Sequence, residues 1–248
     1  MTRRNLIVTG LAATAGVAVA ARLAEQYGLV PPDNGGIYGP GETLTYAAQR
    51  LITGNSLARE FPTSKISKFP YGNGQPPKDE IFTGEQATNF SKWKLSIDGM
   101  VAHPVTYSLA DLRALPTKSQ ITQLACEEGW SYIAQWDGVP LSHVLNLVGV
   151  LPQAKYVVYG SIPIKRRRWD SLDLNEAMHP QTLITYGMNG VDLPVGHGGP
   201  LRLRVPRQLG YKSIKFMTTI TVTDSLKGIG KGRGSSAADG AYSWYAGI

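Results

Sequence analysis

The stretch SIKFMTTITVTD, residues 213–224, decides the fold class. Read as extended chain, it puts Ile214, Phe216, Thr218, Ile220 and Val222 on one side and Lys215, Met217, Thr219 and Thr221 on the other, the period-two pattern of a half-buried strand. Three more runs of strand length are as rich in β-branched or aromatic residues: KYVVYGS (155–161), TLITYG (182–187) and LRLRVP (201–206). Regular structure is expected to begin at Trp93, where KWKLSIDG (92–99) alternates Trp93, Leu95 and Ile97 with polar residues. Asn189-Gly190 reads as a tight turn. Two short helices are expected. In SLADLRALP (108–116) Ser108 caps, Asp111 stands third, and Leu109, Leu112 and Leu115 share a face; in PLSHVLNLVG (140–149) Leu141, Leu145 and Val148 share a face and Gly149 ends the turn. Short helices among many strands, with no long helix between successive strands, argue for a single β-rich α+β domain rather than a doubly wound sheet.

Outside that core the chain changes character. MTRRNLIVTGLAATAGVAVAA (1–21) opens on Arg3 and Arg4, continues as an Ala/Gly-rich apolar run and reaches a small-residue site at Ala18-Val19-Ala20. Residues 1–20 therefore read as an export signal to the periplasm. The paired arginines before Asn5-Leu6-Ile7 suggest the twin-arginine route, used by proteins that fold around a cofactor before export; an ordinary secretory signal, or an uncleaved N-terminal anchor that tethers the protein to the membrane, are the other readings. Residues 21–86, rich in Gly, Pro, Asn and Thr, are expected as irregular chain wrapping a core of 87–225, with one short helix near Ala47 to Leu51. Residues 226–248 are expected as a tail, with GIGKGRGSS (228–236) a mobile basic stretch and AYSWYAGI (241–248) an aromatic clip.

Composition excludes several classes of function. One cysteine in 248 residues rules out an intrachain disulfide and a structural zinc or iron–sulfur site. Neither GHGGP (196–200) nor GIGKGRG (228–234) follows a strand and opens a helix, so neither is a nucleotide fingerprint. The formal net charge of +7 is not organised by any nucleic-acid motif. The KRRRW run (165–169) is either a solvated face or a surface that steers an acidic redox partner or lies on anionic lipid.

The single thiol, Cys126, lies in LACEEGWSYIAQWDGVPLSHVL (124–145). Taken alone it is a small buried hydrophobe, a nucleophile with His143 or His197 as base, or a metal ligand. Glu127 and Glu128 disfavour a free thiolate, whereas a bound metal ion deprotonates sulfur directly.

That segment, together with SLDLNEAMHPQTLITYGMNGVDLPVGHGGPLRLRVP (171–206) and LGYKSIKFM (209–217), resembles the sulfite oxidase-type molybdopterin-dependent oxidoreductase family, in order and spacing over about residues 70–225. The resemblance implies that family's β-rich fold and a molybdenum–molybdopterin cofactor. Cys126, which opens the C-x-x-G-W element, would be the protein ligand to molybdenum. In G-H-G-G-P-L-R, His197 and Arg202 would contact the pterin; in Y-K-S-I-K, Ser213, Ile214 and Lys215 would cradle the cofactor's phosphate, which suits a forked Arg, a point-charge Lys and free amides. Ser161 and Asn73 correspond to further family contacts, and equally read as a capping Ser and a turn-forming Asn. Glu127, Glu128, Trp130 and Tyr132 would line the substrate pocket, with Tyr132 either a proton donor or a core aromatic.

The activity implied is two-electron oxygen-atom transfer. Sulfite oxidases place an arginine a few residues after the ligating cysteine, and here Glu127 to Tyr132 contain none. The expected substrate is therefore neutral, a sulfoxide-like small molecule or protein methionine sulfoxide; sulfite oxidation and a non-catalytic binding module on the same scaffold are the alternatives. A separate electron-transfer protein, a membrane cytochrome b-type subunit or a soluble cytochrome, is expected as partner. The core lacks the dimerisation and haem domains of some relatives, so a monomer is expected.

Overall fold

The computed structural model describes residues 22–35, 38–163 and 168–248. The export-signal segment and most of the basic run 165–168 lie outside the described residues, with Arg168 alone inside. The chain divides into two compact units, 1–54 and 55–248.

In the first unit residues 22–26 are helical, and α1 (Gly39–Thr53) starts with Pro40 in its first turn, where a missing N–H costs nothing. The short helix expected near 47–51 is thus one stretch of a 15-residue helix. Pro40 and Gly41 at its start masked the helical periodicity.

Among the described residues, all the β-structure is in the second unit. Its first helix is α2 (Glu80–Ala87), capped by Asp79, whose carboxylate accepts from the Phe82 N–H; this segment was expected to be irregular. Residues 55–86 are stitched to the sheets: Phe61 N–H donates to Ile121 O at 2.9 Å, Ser67 N–H to Ile133 O at 2.9 Å, and the Phe82 side chain is fully buried.

Ten strands follow. β1 (Lys94–Gly99) and β2 (Val105–Ser108) form a hairpin; β3 (Lys118–Ala125) and β4 (Ser131–Pro140) form another; β5 (Tyr156–Ser161), β6 (Trp169–Asp173), β7 (Leu183–Met188), β8 (Val191–Asp192), β9 (Arg202–Arg204) and β10 (Met217–Thr223) complete the set. One sheet has the order β2-β1-β10-β5-β6, with β1 and β10 parallel. The other runs β3-β4-β7-β8, with β9 on β7. The fold is α+β, strands in two sheets with short helices, as expected. α3 (Leu109–Ala114) has the expected capping box between Ser108 and Asp111, and α4 (Leu141–Val148) ends on Gly149 at φ 66°. Asn189 and Gly190, at φ 54° and 80°, make the expected β7–β8 turn.

β10 departs from the uniform alternation. Its register shifts between Met217 and Thr219, so Met217 is fully buried along with Ile220 and Val222. A bulge turns one side chain to the other face, which periodicity alone does not reveal. β3 and β4 were not expected, because the motif between them drew the reading to loop chemistry.

The main core gathers Leu95, Ile97, Val157, Ile220 and Val222 under Leu141, Val144 and Leu145 of α4. A smaller core of Leu124, Tyr132, Ala134, Trp136, Met188 and Leu193 lies under the β3–β4 hairpin. The C-terminal stretch is tethered rather than loose. α5 (Leu174–Ala177) follows β6, and α6 (Ser236–Asp239) leads to Trp244, which is 2% exposed and donates to Ser171 Oγ at 2.8 Å; Ser171 Oγ donates in turn to Gly234 O at 2.6 Å.

Candidate functional site

The β3–β4 hairpin positions the thiol. Pairing ends at Ala125–Ser131, and five residues close the loop. Gly129 N–H donates to Cys126 O at 3.1 Å and Cys126 N–H to Trp130 O at 2.9 Å, while Gly129 sits at φ 91°, left-handed backbone that only glycine takes without strain. The C-x-x-G-W spacing is therefore a turn that fixes Cys126 at the hairpin tip. The thiol is 9% exposed, donates to Glu127 Oε2 at 3.1 Å, and burial, with lesser help from Glu127 and Glu128, pushes it up to about 11. A free thiol so raised is a poor nucleophile at neutral pH.

Below the tip, the alternation that runs from Trp130, the last loop residue, into β4 places Trp130, Tyr132 and Trp136 on one face. Trp130 and Tyr132 rings lie 6° from parallel at 6.1 Å, Tyr71 packs on Trp130 at 4.9 Å, and Trp130 Nε1 donates to Glu128 Oε2 at 2.7 Å. The Tyr132 hydroxyl stands 3.3 Å from His197 Nδ1.

Facing these aromatics is a wall of cations. Arg202 on β9 is 5% exposed; its Nε donates to Ser213 O and its Nη1 to His197 O, both at 2.9 Å. Arg202 bridges Lys215, whose Nζ donates at 2.6 Å to both Asn73 O and Gly196 O. His197 ends the short helical turn Val195–His197. Arg168 is exposed and locked in place through its backbone, N–H to Ser161 Oγ at 3.0 Å and O from Ser161 N–H at 2.8 Å. Burial first, then the neighbouring cations, hold Lys215 down to about 7 and His197 down to about 4.

The two walls enclose a cleft of about 300 Å³. Cys126, Tyr132, His197 and Arg202 line it, as do Asn73, Ser161, Ser213, Ile214 and Lys215, so the expected metal ligand, proton donor and cofactor contacts all reach one cavity. Glu127 and Trp130 line it too, whereas Glu128 reaches it only through Trp130. His143, the other candidate base, is not among the lining residues. Reading the sequence alone missed Tyr71, Arg168, Tyr211 and Phe216. Tyr211 and Phe216 stand within the LGYKSIKFM motif already singled out, while Arg168 was read only as part of a charge run.

The donor set suits an anionic, metal-bearing cofactor. Lys215 donates to two backbone carbonyls, and Arg202 to two backbone carbonyls and the Tyr132 hydroxyl, none of them a carboxylate; Glu127 is the one acid lining the cleft among the described residues. Buried cations with no carboxylate among these partners favour a bound anion. No group of three His, Cys, Asp or Glu able to hold a metal exists among the described residues, so protein ligation would rest on Cys126 with the remaining donors from the cofactor.

Comparison with known proteins agrees. The profile of the family described as "Oxidoreductase molybdopterin binding domain" matches residues 83–228. A candidate protein-methionine-sulfoxide reductase subunit, YedZ1, of Azospira oryzae is 35% identical over 79% of this chain and 70% of its own. The protein-methionine-sulfoxide reductase catalytic subunits MsrP of Xanthomonas campestris pv. campestris and Ralstonia nicotianae are each 36% identical, over 75% and 53% of this chain. The chain spans 62% and 44% of those two relatives. The crystal structure of the sulfane dehydrogenase SoxCD from Paracoccus pantotrophus superimposes with a TM-score of 0.50 at 24% identity, covering 54% of this chain and 39% of that one, a likeness of fold.

Proposed function

The chain belongs to the oxidoreductase molybdopterin-binding domain family and is a molybdenum-dependent oxidoreductase, and from that premise we propose that it reduces sulfoxides in the periplasm, with methionine sulfoxide as the substrate class. One observation carries the reading: the cleft is divided, cations on one wall and Cys126 with Glu127, Trp130 and Tyr132 on the other. The cationic wall takes the anionic end of the cofactor. The thiol wall is then what a substrate meets, and its aromatic and acidic surface suits a neutral sulfoxide better than a sulfite anion.

In this reading Cys126 is the protein ligand to molybdenum. Arg202 and His197 hold the pterin, and Lys215, Ser213 and Ile214 hold the phosphate, with Asn73 and Ser161 completing the cradle. The bound molybdenum supplies two-electron oxygen-atom chemistry. Reducing a sulfoxide to a sulfide and water consumes two electrons and two protons. The Tyr132 hydroxyl, held protonated by burial against the nearby arginines' pull, is the proton source at the thiol wall, and neutral His197 Nδ1 beside it fixes its direction. Electrons come from a separate membrane cytochrome b-type subunit or soluble cytochrome, and the catalytic core acts as a monomer.

Dye-coupled turnover of the periplasmic protein with methionine sulfoxide and with sulfite tests the substrate. Reduction of methionine sulfoxide with sulfite oxidation at background supports the reading. Sulfite oxidation with no sulfoxide reduction overturns it.

A further inference from the structure

Helix α1 is built inside out. Beyond Pro40 in its first turn, its exposed positions, 41, 44, 45, 48, 51 and 52, fall on one face at helical spacing, and they read Gly41, Leu44, Thr45, Ala48, Leu51 and Ile52. No charge appears there. Leu44 is 72% exposed, Leu51 73% and Ile52 79%. The opposite side buries Tyr46 and Arg50, the guanidinium 5.4 Å over the tyrosine ring, so the helix's basic residue is turned away from the exposed face. A water-facing helix normally shows the reverse distribution. An uncharged stripe of exposed Leu and Ile marks a surface that something apolar covers.

We propose that this face of α1 lies in the surface of a lipid bilayer. Three features favour lipid over a protein partner. The face carries neither a charge nor an aromatic anchor that would give a protein partner a specific register. Tyrosines flank it, Tyr38 at the N-cap 76% exposed and Tyr27 73% exposed, and tyrosine is the residue that settles at the headgroup level. Upstream, residues 1–21 combine Arg3 and Arg4 with an apolar run, the composition of a segment handled at a membrane. No described helix is long and apolar enough to cross a membrane, and α1 with 15 residues would lie along the interface. The helix thus supplies a second membrane contact beside whatever the N-terminal segment provides, and this role is independent of the substrate proposed above.

The test uses the full chain carrying its cofactor, with an environment-sensitive fluorophore on Ala48→Cys at the centre of the face and, separately, on Val191→Cys of β8, which is 63% exposed. Cys126, buried at the hairpin tip, is shielded from the label. Vesicles of phosphatidylglycerol and phosphatidylethanolamine are added. A blue shift at position 48 and none at 191 is expected. Replacing Leu44, Leu51 and Ile52 together by Ser should weaken vesicle binding reported at position 48 about a thousandfold, since each buried aliphatic side chain is worth about tenfold. No shift at 48 while the chain binds vesicles overturns the proposal. So does a shift without vesicles that grows with protein concentration, because a second copy would then be the cover.

Discussion

The ammonium of Lys215 donates to the carbonyl of Asn73 at 2.6 Å, joining a loop ahead of the sheets to the approach to β10 across 142 positions of chain. That bond, with its twin to Gly196, holds one wall of the cleft at the spacing an anion needs. The lysine is held there against its own preference, with burial, Arg202 and Arg168 all disfavouring its charge.

This gives a pH signature. Lys215 is held down to about 7 against 10.5 in an unfolded chain, so between those values the unfolded state binds the extra proton and cofactor-free protein gains stability as pH rises. Thermal melting of cofactor-free protein should move up from pH 7 to 9, and Lys215→Met should flatten that slope. Phosphate added at pH 7 should raise the melting temperature of the parent and not of the variant. A parent melting temperature that is no more pH-dependent than the variant's contradicts the assignment.

Gly129→Ala tests the hairpin that presents the thiol. An added Cβ meets open space, so the cost is backbone strain at φ 91°, about 1–2 kcal/mol. Urea denaturation should show that loss. Molybdenum content should fall alongside it, because Cys126 shares the turn.

Much of this was legible in the chain. The C-x-x-G-W spacing located the thiol, and Ser213 to Lys215 located the opposite wall, because both are short local motifs whose backbone geometry is written in adjacent residues. Arg168 was not legible, since its place in the cleft depends on pairing with Ser161 across the β5–β6 hairpin. The inward turn of Met217 was hidden for the same reason, since it depends on a register shift against a strand distant in sequence, whereas the aromatic clip of 241–248 was legible in its own residues and is seen in Trp244.

The buried pair of Lys212 and Asp170, each 1% exposed, anchors the loop leading to Ser213. Lys212 also donates to Ser171 O at 2.9 Å and lies 5.1 Å from the centroid of the Trp244 ring. Asp170→Ala strands a buried ammonium and should cost about 3–5 kcal/mol in urea denaturation. Asp170→Leu with Lys212→Met removes both charges and should recover most of that stability.

Tyr132→Phe separates the proton donor from the core aromatic. The ring contacts with Trp130, Trp136 and His197 survive, so molybdenum content should stay at the parent level. Sulfoxide turnover should drop about a hundredfold, with the loss in kcat rather than KM. Unchanged kcat would assign Tyr132 to packing alone.

The central claim is that Cys126 ties molybdenum to the hairpin tip. Elemental analysis of protein matured with its cofactor, parent beside Cys126→Ser, measures it most directly. The account predicts about one molybdenum per chain in the parent, a stoichiometry set by one cysteine per chain, and its loss in the variant while the fold persists. Parent protein without molybdenum, or a variant that retains it in full, would contradict the account.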